Sequence, residues 1–385
     1  METDGAHKTE QEVEEGRQGR CFGTRVQSIP LLYVKAAETQ LQAGNPSDAL
    51  ELAQKALSQS QTGSDSALAA LNLLGQINIE IGEFEAARSF FLKAVAIDED
   101  GSRSDETGGG PEKFLCLAQL SEEGGQDSVK WFEKGAAALK NQIQKFDDLQ
   151  KLTDEQELLV DEFRQKHAMT LCAVSEIYMT DLSWEADAEA RCEALVTEAT
   201  MVAPEFAETW QTLASVRISQ ERFDDAKAAL IRSLELWKDL PTGDPSVPDF
   251  PSRVALARLL MEVGMEQEAI EVLERLVGED DHSVEVWYLG GWGLYVMGEK
   301  QKQQDSAEGG EWKSTWISSK TWLKQCLNLF KQQEYEDERL GKHANELLTA
   351  VSKDLGDTPS DDEEEGEDAD DVWEDEDGSD EEMGG

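Results

Sequence analysis

Small and large side chains recur at fixed positions through most of this sequence, and their spacing constrains the fold more than any other feature. Residues 75–98 read GQINIEIGEFEAARSFFLKAVAID and combine helical periodicity with small residues at Gly75, Gly82, Ala87 and Ala94. Two packed helices need a small residue where their backbones approach most closely, because their side chains interdigitate as ridges into grooves. This segment therefore predicts a helical hairpin.

The same arrangement recurs along the chain. Gly264 and Gly298 stand 34 residues apart, the length of the tetratricopeptide repeat, and inserted loops lengthen other intervals, such as the 43 residues from Ala226 to Ala269. That repeat has a large residue and Leu-Gly in its first helix and spaced Ala and aromatic positions in its second, and residues 71–99 match it. Further matches begin near Tyr33, Phe114, Leu171, Trp210, Leu256 and Trp287. The sequence thus resembles tetratricopeptide-repeat proteins over residues 30–330, and the alternative is an unrelated helical bundle.

The resemblance implies an all-α fold, a tetratricopeptide-repeat α-solenoid of about seven helical hairpins. The apolar stripe of Leu340, Leu347, Leu348 and Val351 predicts a C-terminal capping helix. We expect a disordered N-terminal segment, a superhelix and a disordered acidic tail at residues 1–27, 28–355 and 356–385. Gly-rich, Pro-rich and polar stretches predict insertions near residues 102–112, 240–251 and 298–316.

Net charge is the strongest compositional feature, because 82 acidic against 35 basic side chains give −47. The tail alone holds 17 carboxylates in residues 357–382 and no Lys or Arg, yet the remainder is still strongly acidic. Such a field favours cationic partners. It argues against direct binding of nucleic acid or of anionic membrane surfaces, which both require Lys and Arg.

The sequence also predicts the compartment. Its first twenty residues are acidic and carry no apolar core, and no apolar run reaches the length of a membrane span. Five cysteines are scattered without a C-x-x-C pair, which does not suggest a disulfide framework. We therefore expect the protein in the cytoplasm and nucleus.

No pattern in the chain indicates an enzyme, a cofactor or a metal site. The four histidines include His167, His282 and His343, which lie far apart in sequence and lack metal-ligand spacing. The GGWGL motif at residues 290–294 occupies small-residue positions of a repeat and follows no strand, unlike a phosphate-binding loop. We expect the functional site to be a binding surface.

The repeat register predicts which side chains of the first helices face a partner. Carboxylates beside aromatic rings suit Arg and Lys, through charge-assisted hydrogen bonds and cation–π contacts. The candidate client-binding residues are Glu112, Glu122, Glu176, Glu208, Glu285, Tyr288, Trp292 and Tyr295. The alternatives are that Trp292 and Tyr295 pack under the capping helix and that the glutamates form an ordinary solvated surface.

An acidic repeat solenoid with a polyacidic tail also resembles the dedicated assembly chaperones of a large-subunit ribosomal protein, the L-four protein, from fungi. This resemblance implies a chaperone that binds the newly made, basic client through its acidic concave surface. It would shield a long RNA-binding internal extension and escort the client to the nucleus, as a monomer in a 1:1 complex. The alternatives are a scaffold subunit of a multiprotein complex and a histone-type acidic chaperone.

Overall fold

The structure is a computed structural model that describes residues 29–104, 107–147, 149, 151–304 and 310–356. Those residues form fifteen α-helices and no strand. In chain order the helices are α1 Ile29–Gln42, α2 Pro46–Gln59, α3 Asp65–Glu80, α4 Phe84–Val95, α5 Glu112–Gln119, α6 Gly125–Asp147, α7 Asp154–Met179, α8 Ala188–Val202, α9 Ala207–Ser219, α10 Phe223–Glu235, α11 Phe250–Glu262, α12 Glu266–Glu279, α13 Val284–Gln304, α14 Glu311–Gln332 and α15 Glu338–Leu355.

The helices follow one another as seven consecutive pairs and one final helix, which confirms the predicted fold class. Several pairs turn on a residue with positive φ, a conformation that glycine adopts without a steric penalty. Gly44, Gly82 and Gly264 supply it at φ of 77°, 80° and 78°. Glu221 and Glu334 take the same conformation at φ of 58° and 49°. The turn geometry is therefore kept even where the sequence lacks glycine.

The chain divides into two compact units, residues 1–216 and 217–385, with the boundary inside α9. The first unit has one core where α1, α2 and α3 meet, rich in alanine, as at Ala37, Ala53 and Ala70. Another core extends from α4 to α8 around Phe91 and Tyr178. Small side chains let the helices of the first core approach closely, and larger side chains fill the second.

Gly75 shows why a small residue recurs in the first helix of a pair. A Cβ atom built on Gly75 of α3 would lie 2.5 Å from Cζ of Phe91, and Phe91 itself is buried in α4. Ala87 and Ala94 lie on the same buried face of α4. The sequence prediction for this hairpin is confirmed, because its small residues stand where the two helices contact each other.

Residues 102–112 form an ordered loop where the structure describes them. Lys113 at the start of α5 is fully buried and forms a 2.7 Å ion pair with Asp98, which is also buried. Its ammonium group additionally donates to the carbonyl of Gly110 at 2.7 Å. At the other side of the loop, the Arg103 guanidinium bonds Asp65 at 3.0 Å. These contacts attach the inserted loop to the helices on both sides.

The second unit repeats the close-approach principle between α13 and α14. A Cβ atom on Gly291 would lie 2.7 Å from Leu323, and the Ser319 hydroxyl donates to the Gly291 carbonyl at 2.7 Å. Gly290 faces Trp322 in the same way. The GGWGL motif therefore lies inside a helix and serves helix packing, as the sequence predicted.

The polar segment near residues 298–316 differs from the predicted insertion. Helix α13 continues to Gln304 and α14 begins at Glu311, so most of this segment is helical. Gly298 lies inside α13 and faces the Trp316 ring of α14. The segment lengthens both helices, because a polar sequence without proline can extend a helix once its neighbour covers one face.

Residues 241–249 form a loop, and α11 begins at Phe250, one residue before Pro251. Asp249 caps this helix by accepting a 2.8 Å hydrogen bond from the backbone N–H of Ser252. Proline in the first turn of a helix removes no intrahelical hydrogen bond. Three of the four prolines of the predicted insertion therefore lie in the loop, and the fourth lies at a permitted helical position.

The capping helix is α15, whose buried face includes Leu340, Ala344, Leu347 and Val351. The predicted disordered N-terminal segment lies outside the described residues, and so does the predicted acidic tail apart from Gly356. Within the described part of the chain, no helix combines the length and apolar character that crossing a membrane requires.

Replacing Gly75 by Ala tests the close-approach interpretation. The added methyl group collides with Phe91 and should lower the free energy of unfolding by about 1–2 kcal/mol, even though Ala favours helices by up to about 1 kcal/mol. Denaturant titration followed by circular dichroism measures the change. Gly278→Ala is the matched control, since no atom lies within 4 Å of that added Cβ. Equal stabilisation by both substitutions would contradict the interpretation.

Candidate functional site

Three of the eight predicted client-binding residues line one cavity of about 650 Å³ in the second unit. Glu285, Tyr288 and Trp292 project from one face of α13, because their spacing of three and four residues follows the helical period. Helix α11 borders the cavity on one side and α15 on the other. The cavity thus lies on the first helices of the last two pairs and on the capping helix.

An aromatic cluster forms one wall of this cavity. The Tyr288 and Trp292 ring centroids are 5.9 Å apart, and His343 of α15 lies edge-on to Trp292 at 5.6 Å. Tyr288 Oη and His343 Nδ1 share a 2.7 Å hydrogen bond, and burial raises the pKa of Tyr288. Trp292 keeps 36% of its surface exposed. The ring of Trp292 is therefore held by its neighbours and still open to a ligand.

Four carboxylates line the cavity, and three of them are engaged. Glu285 forms an ion pair with Arg258 of α11. Glu266 accepts two hydrogen bonds from Lys300 at 2.6 and 2.7 Å. Asp337 caps α15 by accepting from two backbone N–H groups. Glu262 of α11 is exposed and makes no ion pair with any described residue, which leaves its carboxylate available.

Arg258 and Arg339 also line the cavity, so it is less anionic than the acidic surface that the sequence predicts. The Arg258 guanidinium balances Glu285, whose side chain is 28% exposed. An incoming cation would therefore compete with Arg258 for Glu285, whereas Glu262 makes no ion pair with a described residue. The arrangement favours one cationic side chain that stacks on Trp292 and reaches Glu262.

Tyr295 does not line this cavity. Its ring stacks on Trp316 with centroids 5.7 Å apart and planes 2° from parallel, and its backbone carbonyl accepts a 3.0 Å hydrogen bond from the Trp316 indole. Burial raises the pKa of the Tyr295 hydroxyl. The structure therefore places Tyr295 in the packing between α13 and α14.

The four predicted residues of the first unit occupy three different settings. Glu112 at the start of α5 bonds Lys166 at 2.8 Å, and Lys166 also pairs with Glu162 at 3.0 Å. Glu122 is exposed in the loop between α5 and α6. Neither residue shares a site with the other, so these two carboxylates do not form a common binding surface.

Glu176 of α7 and Glu208 of α9 lie near one buried thiol. The pKa of Cys172 is raised to about 11, mainly by burial and also by the negative charges of both carboxylates, against the lowering effect of a hydrogen bond with Thr212. Residue 176 is exposed, but nearby protein atoms exclude part of the water around its carboxyl group. This desolvation raises the pKa of Glu176. The structure thus brings these two predicted residues together in the first unit.

Among the described residues, Cys116, Cys326 and His282 lack the features of a catalytic site. Burial raises the pKa of Cys116 to about 11 and of Cys326 to about 12, so both thiols stay protonated near neutral pH. His282 lies beside Asp280 and Asp281, and all three are exposed. None of the three lines the cavity, and His282 Nδ1 contacts an Asp281 carboxylate oxygen at 2.6 Å.

Sequence reasoning missed several residues of the cavity. Glu262 occupies the last turn of α11, and the helical register of its repeat could have identified it. Arg258 and His343 could not be assigned, because their positions depend on how α11 and the capping helix pack against α13. The spacing of the histidines in the sequence argues against a metal site at His343 and gives no sign that His343 lines this cavity.

Comparison with known proteins agrees with the repeat architecture and defines the family. Residues 28–100 match the tetratricopeptide-repeat family model. A protein of Emericella nidulans named "Probable assembly chaperone of rpl4" is 46% identical over 365 residues, which span 93% of this chain and 90% of the relative. A Schizosaccharomyces pombe protein of the same name is 32% identical over 80% of this chain and 86% of its own length.

A solved structure described as the assembly chaperone of RpL4 (Acl4), residues 1–338, is 55% identical to this chain. It superposes with a TM-score of 0.68 and covers 72% of this chain and 99% of its own. The names of these relatives describe assembly chaperones, a non-enzymatic class, in agreement with the sequence prediction that this chain is not an enzyme. From their identity and coverage, this chain belongs to the family of tetratricopeptide-repeat assembly chaperones of rpl4.

Proposed function

We propose that this chain is an assembly chaperone that binds newly synthesised ribosomal protein rpl4 and holds it until ribosome assembly. The observation that carries the proposal is the 46% identity over 93% of the chain to a relative with that named role. The cavity of the second unit supplies the chemistry, because an exposed tryptophan and an unpaired glutamate suit a cationic side chain.

The client is expected to bind as a basic segment. A ribosomal extension that contacts RNA is rich in Arg and Lys and has no folded core of its own. Its positive charge is attracted to an anionic surface. An arginine would lay its guanidinium on Trp292 and bond the Glu262 carboxylate. Carboxylates would then take the places that RNA phosphates occupy in the ribosome, which shields the segment from promiscuous RNA binding.

The proposal also states which partners the chain avoids and how many client molecules it binds. A net charge of −47 disfavours direct contact with nucleic acid or with an anionic membrane. The chaperone would act as a monomer in a 1:1 complex with rpl4, with its repeats and not only its tail in contact with the client. A scaffold that binds apolar helices would instead bind independently of salt.

Substitutions in the cavity test this proposal. Trp292→Ala together with Glu262→Gln should weaken rpl4 binding by about 2–4 kcal/mol if both side chains act as anchors. Isothermal titration calorimetry with purified rpl4 at two salt concentrations measures the loss, and circular dichroism checks that the variant is folded.

The control variant combines Trp184→Ala with Glu274→Gln, which removes a tryptophan that is 78% exposed and an exposed glutamate of α12. Neither residue lines the cavity. This control should bind as the unmodified chain does. Equal affinity of the cavity variant and the control would reject the cavity as the client site. No binding of rpl4 by the unmodified chain would reject the function.

Nuclear escort is a separate part of the proposal. The chain carries no basic run of the kind that directs nuclear import, so import of the complex would use the client's own basic signals. When those signals are deleted from rpl4, the chaperone should stay in the cytoplasm, as fluorescence microscopy of a tagged chain would report. Nuclear accumulation of the chaperone with the mutant client would contradict this mechanism.

A further inference from the structure

A second cavity, of about 510 Å³, lies between the second helices of two pairs in the second unit. Helices α10 and α12 form its walls, together with the residues that follow α10. The first cavity lies on the first helices α11 and α13, so the two cavities occupy different helix layers. The mechanism proposed above makes no use of this second cavity.

Trp237 is the unusual residue of the second cavity. It is 2% exposed, and its indole N–H has no hydrogen-bond partner among the described residues. A buried donor without an acceptor costs about 1–3 kcal/mol, so such a group in a folded protein needs an explanation. Arg275 stacks on the ring at 5.3 Å but cannot accept a hydrogen bond.

Other tryptophans of this chain show what Trp237 lacks. The indole N–H groups of Trp184, Trp210, Trp287 and Trp316 each donate to a backbone carbonyl, at 2.7–3.0 Å. Among the described residues, Trp131 is the other tryptophan whose buried indole N–H has no partner, and its ring faces the ammonium groups of two lysines. Only Trp237 of these two lines the cavity. A carbonyl of a bound ligand could accept a hydrogen bond from the Trp237 indole N–H, as backbone carbonyls do for the four other tryptophans.

The charges around the cavity indicate the kind of partner. Its carboxylates are Glu235, Asp239, Glu268 and Glu271, against the basic groups of Lys238 and Arg275. Asp239 and Glu268 make no ion pair with a described residue. The Arg275 guanidinium is already engaged, since it donates to the carbonyls of Lys238 and Leu240. The four carboxylates outnumber the two basic groups, so the rim carries a net negative charge.

The cavity also has an apolar surface on which the methylene groups of a Lys or Arg side chain could pack. Ile231, Leu234 and Val272 line the cavity, and Ile231 is 45% exposed. Lys and Arg side chains place their methylene groups on such surfaces and keep the charged head in water. An apolar surface bordered by unpaired carboxylates therefore suits a long basic side chain better than an acidic side chain or a purely apolar side chain.

From these observations we propose that the second cavity binds an extended basic segment of the client. One backbone carbonyl of that segment accepts from the Trp237 indole N–H, and a neighbouring Lys or Arg rests on Ile231 and reaches Glu268. The indole nitrogen is covered in the free chain, so binding requires a small movement of the rim. This inference rests on the proposed function and adds a second contact with rpl4 on another helix layer.

A matched pair of glutamates on α12 tests the charge contribution. Glu268→Gln removes a cavity carboxylate, and Glu274→Gln makes the same change outside the cavity. Calorimetry with full-length chain and rpl4 at 0.15 M salt should show a Kd about fivefold higher or more for Glu268→Gln, as for loss of a hydrogen bond to a charged group. Glu274→Gln should leave Kd within twofold, because exposed charges are screened over about 8 Å.

The indole proton of Trp237 gives a readout that does not depend on affinity. Nitrogen-15 labelled chain shows one indole N–H resonance for each tryptophan, and Trp237→Phe identifies the one that disappears. A hydrogen-bonded indole proton resonates downfield of a free one, so rpl4 should move this resonance downfield. The resonance of Trp184, which already donates to a carbonyl, should stay in place.

The two experiments separate the inference from the function beneath it. If rpl4 binds the unmodified chain while Glu268→Gln matches Glu274→Gln and the Trp237 resonance is unmoved, the second contact is rejected and the chaperone function stands. If rpl4 fails to bind the unmodified chain, both are rejected. A selective loss with Glu268→Gln and a downfield shift of Trp237 would together support the second contact.

Discussion

The close approach of paired helices at small residues is the interaction on which this structure depends. Gly75 against Phe91 in the first unit and Gly291 against Leu323 in the second leave no room for a Cβ atom. At these points the backbones come close enough for large residues of the partner helix to fill the remaining space. The spacing of the small residues therefore fixes how each pair packs, and that packing determines which face of each helix is left for a partner.

The fold was predictable because this constraint is local and repeated. The spacing of Gly75, Gly82 and Ala87 in one hairpin is weak evidence for a repeat fold. Six further matches to the same spacing make an all-α repeat fold the clear prediction. The face of α13 was predictable for the same reason, since Glu285, Tyr288 and Trp292 follow the helical period. What such a face binds depends on neighbours that are distant in sequence, and there the prediction was incomplete.

Two particular residues show why the rest could not be predicted. The repeat register groups Tyr295 with Glu285, Tyr288 and Trp292 as client-binding residues, because all four follow the period of one helix face. The helix continues past Gly298, and Trp316 of the lengthened α14 covers Tyr295. His343 joins the aromatic wall because α15 packs against α13, a long-range contact that periodicity does not encode. The pairing of Glu285 with Arg258 likewise depends on α11.

Electrostatics links the family assignment to the proposed chemistry. The strongly negative chain still uses many of its carboxylates internally, as in the pairs of Glu285 with Arg258 and of Glu266 with Lys300. The carboxylates that remain unpaired, such as Glu262 and Glu268, therefore indicate where a client binds better than the net charge of the chain does. A client would be attracted by the net charge and positioned by these few groups.

The most direct test of the account is whether the repeats alone hold the client. Full-length chain and chain lacking residues 357–385 would be used to capture newly synthesised proteins from extract, with washes at low and moderate salt. The account predicts that both retain rpl4 through moderate salt. Capture of many basic proteins that is lost with the tail or with salt would contradict it, because the long-range charge alone would then explain binding.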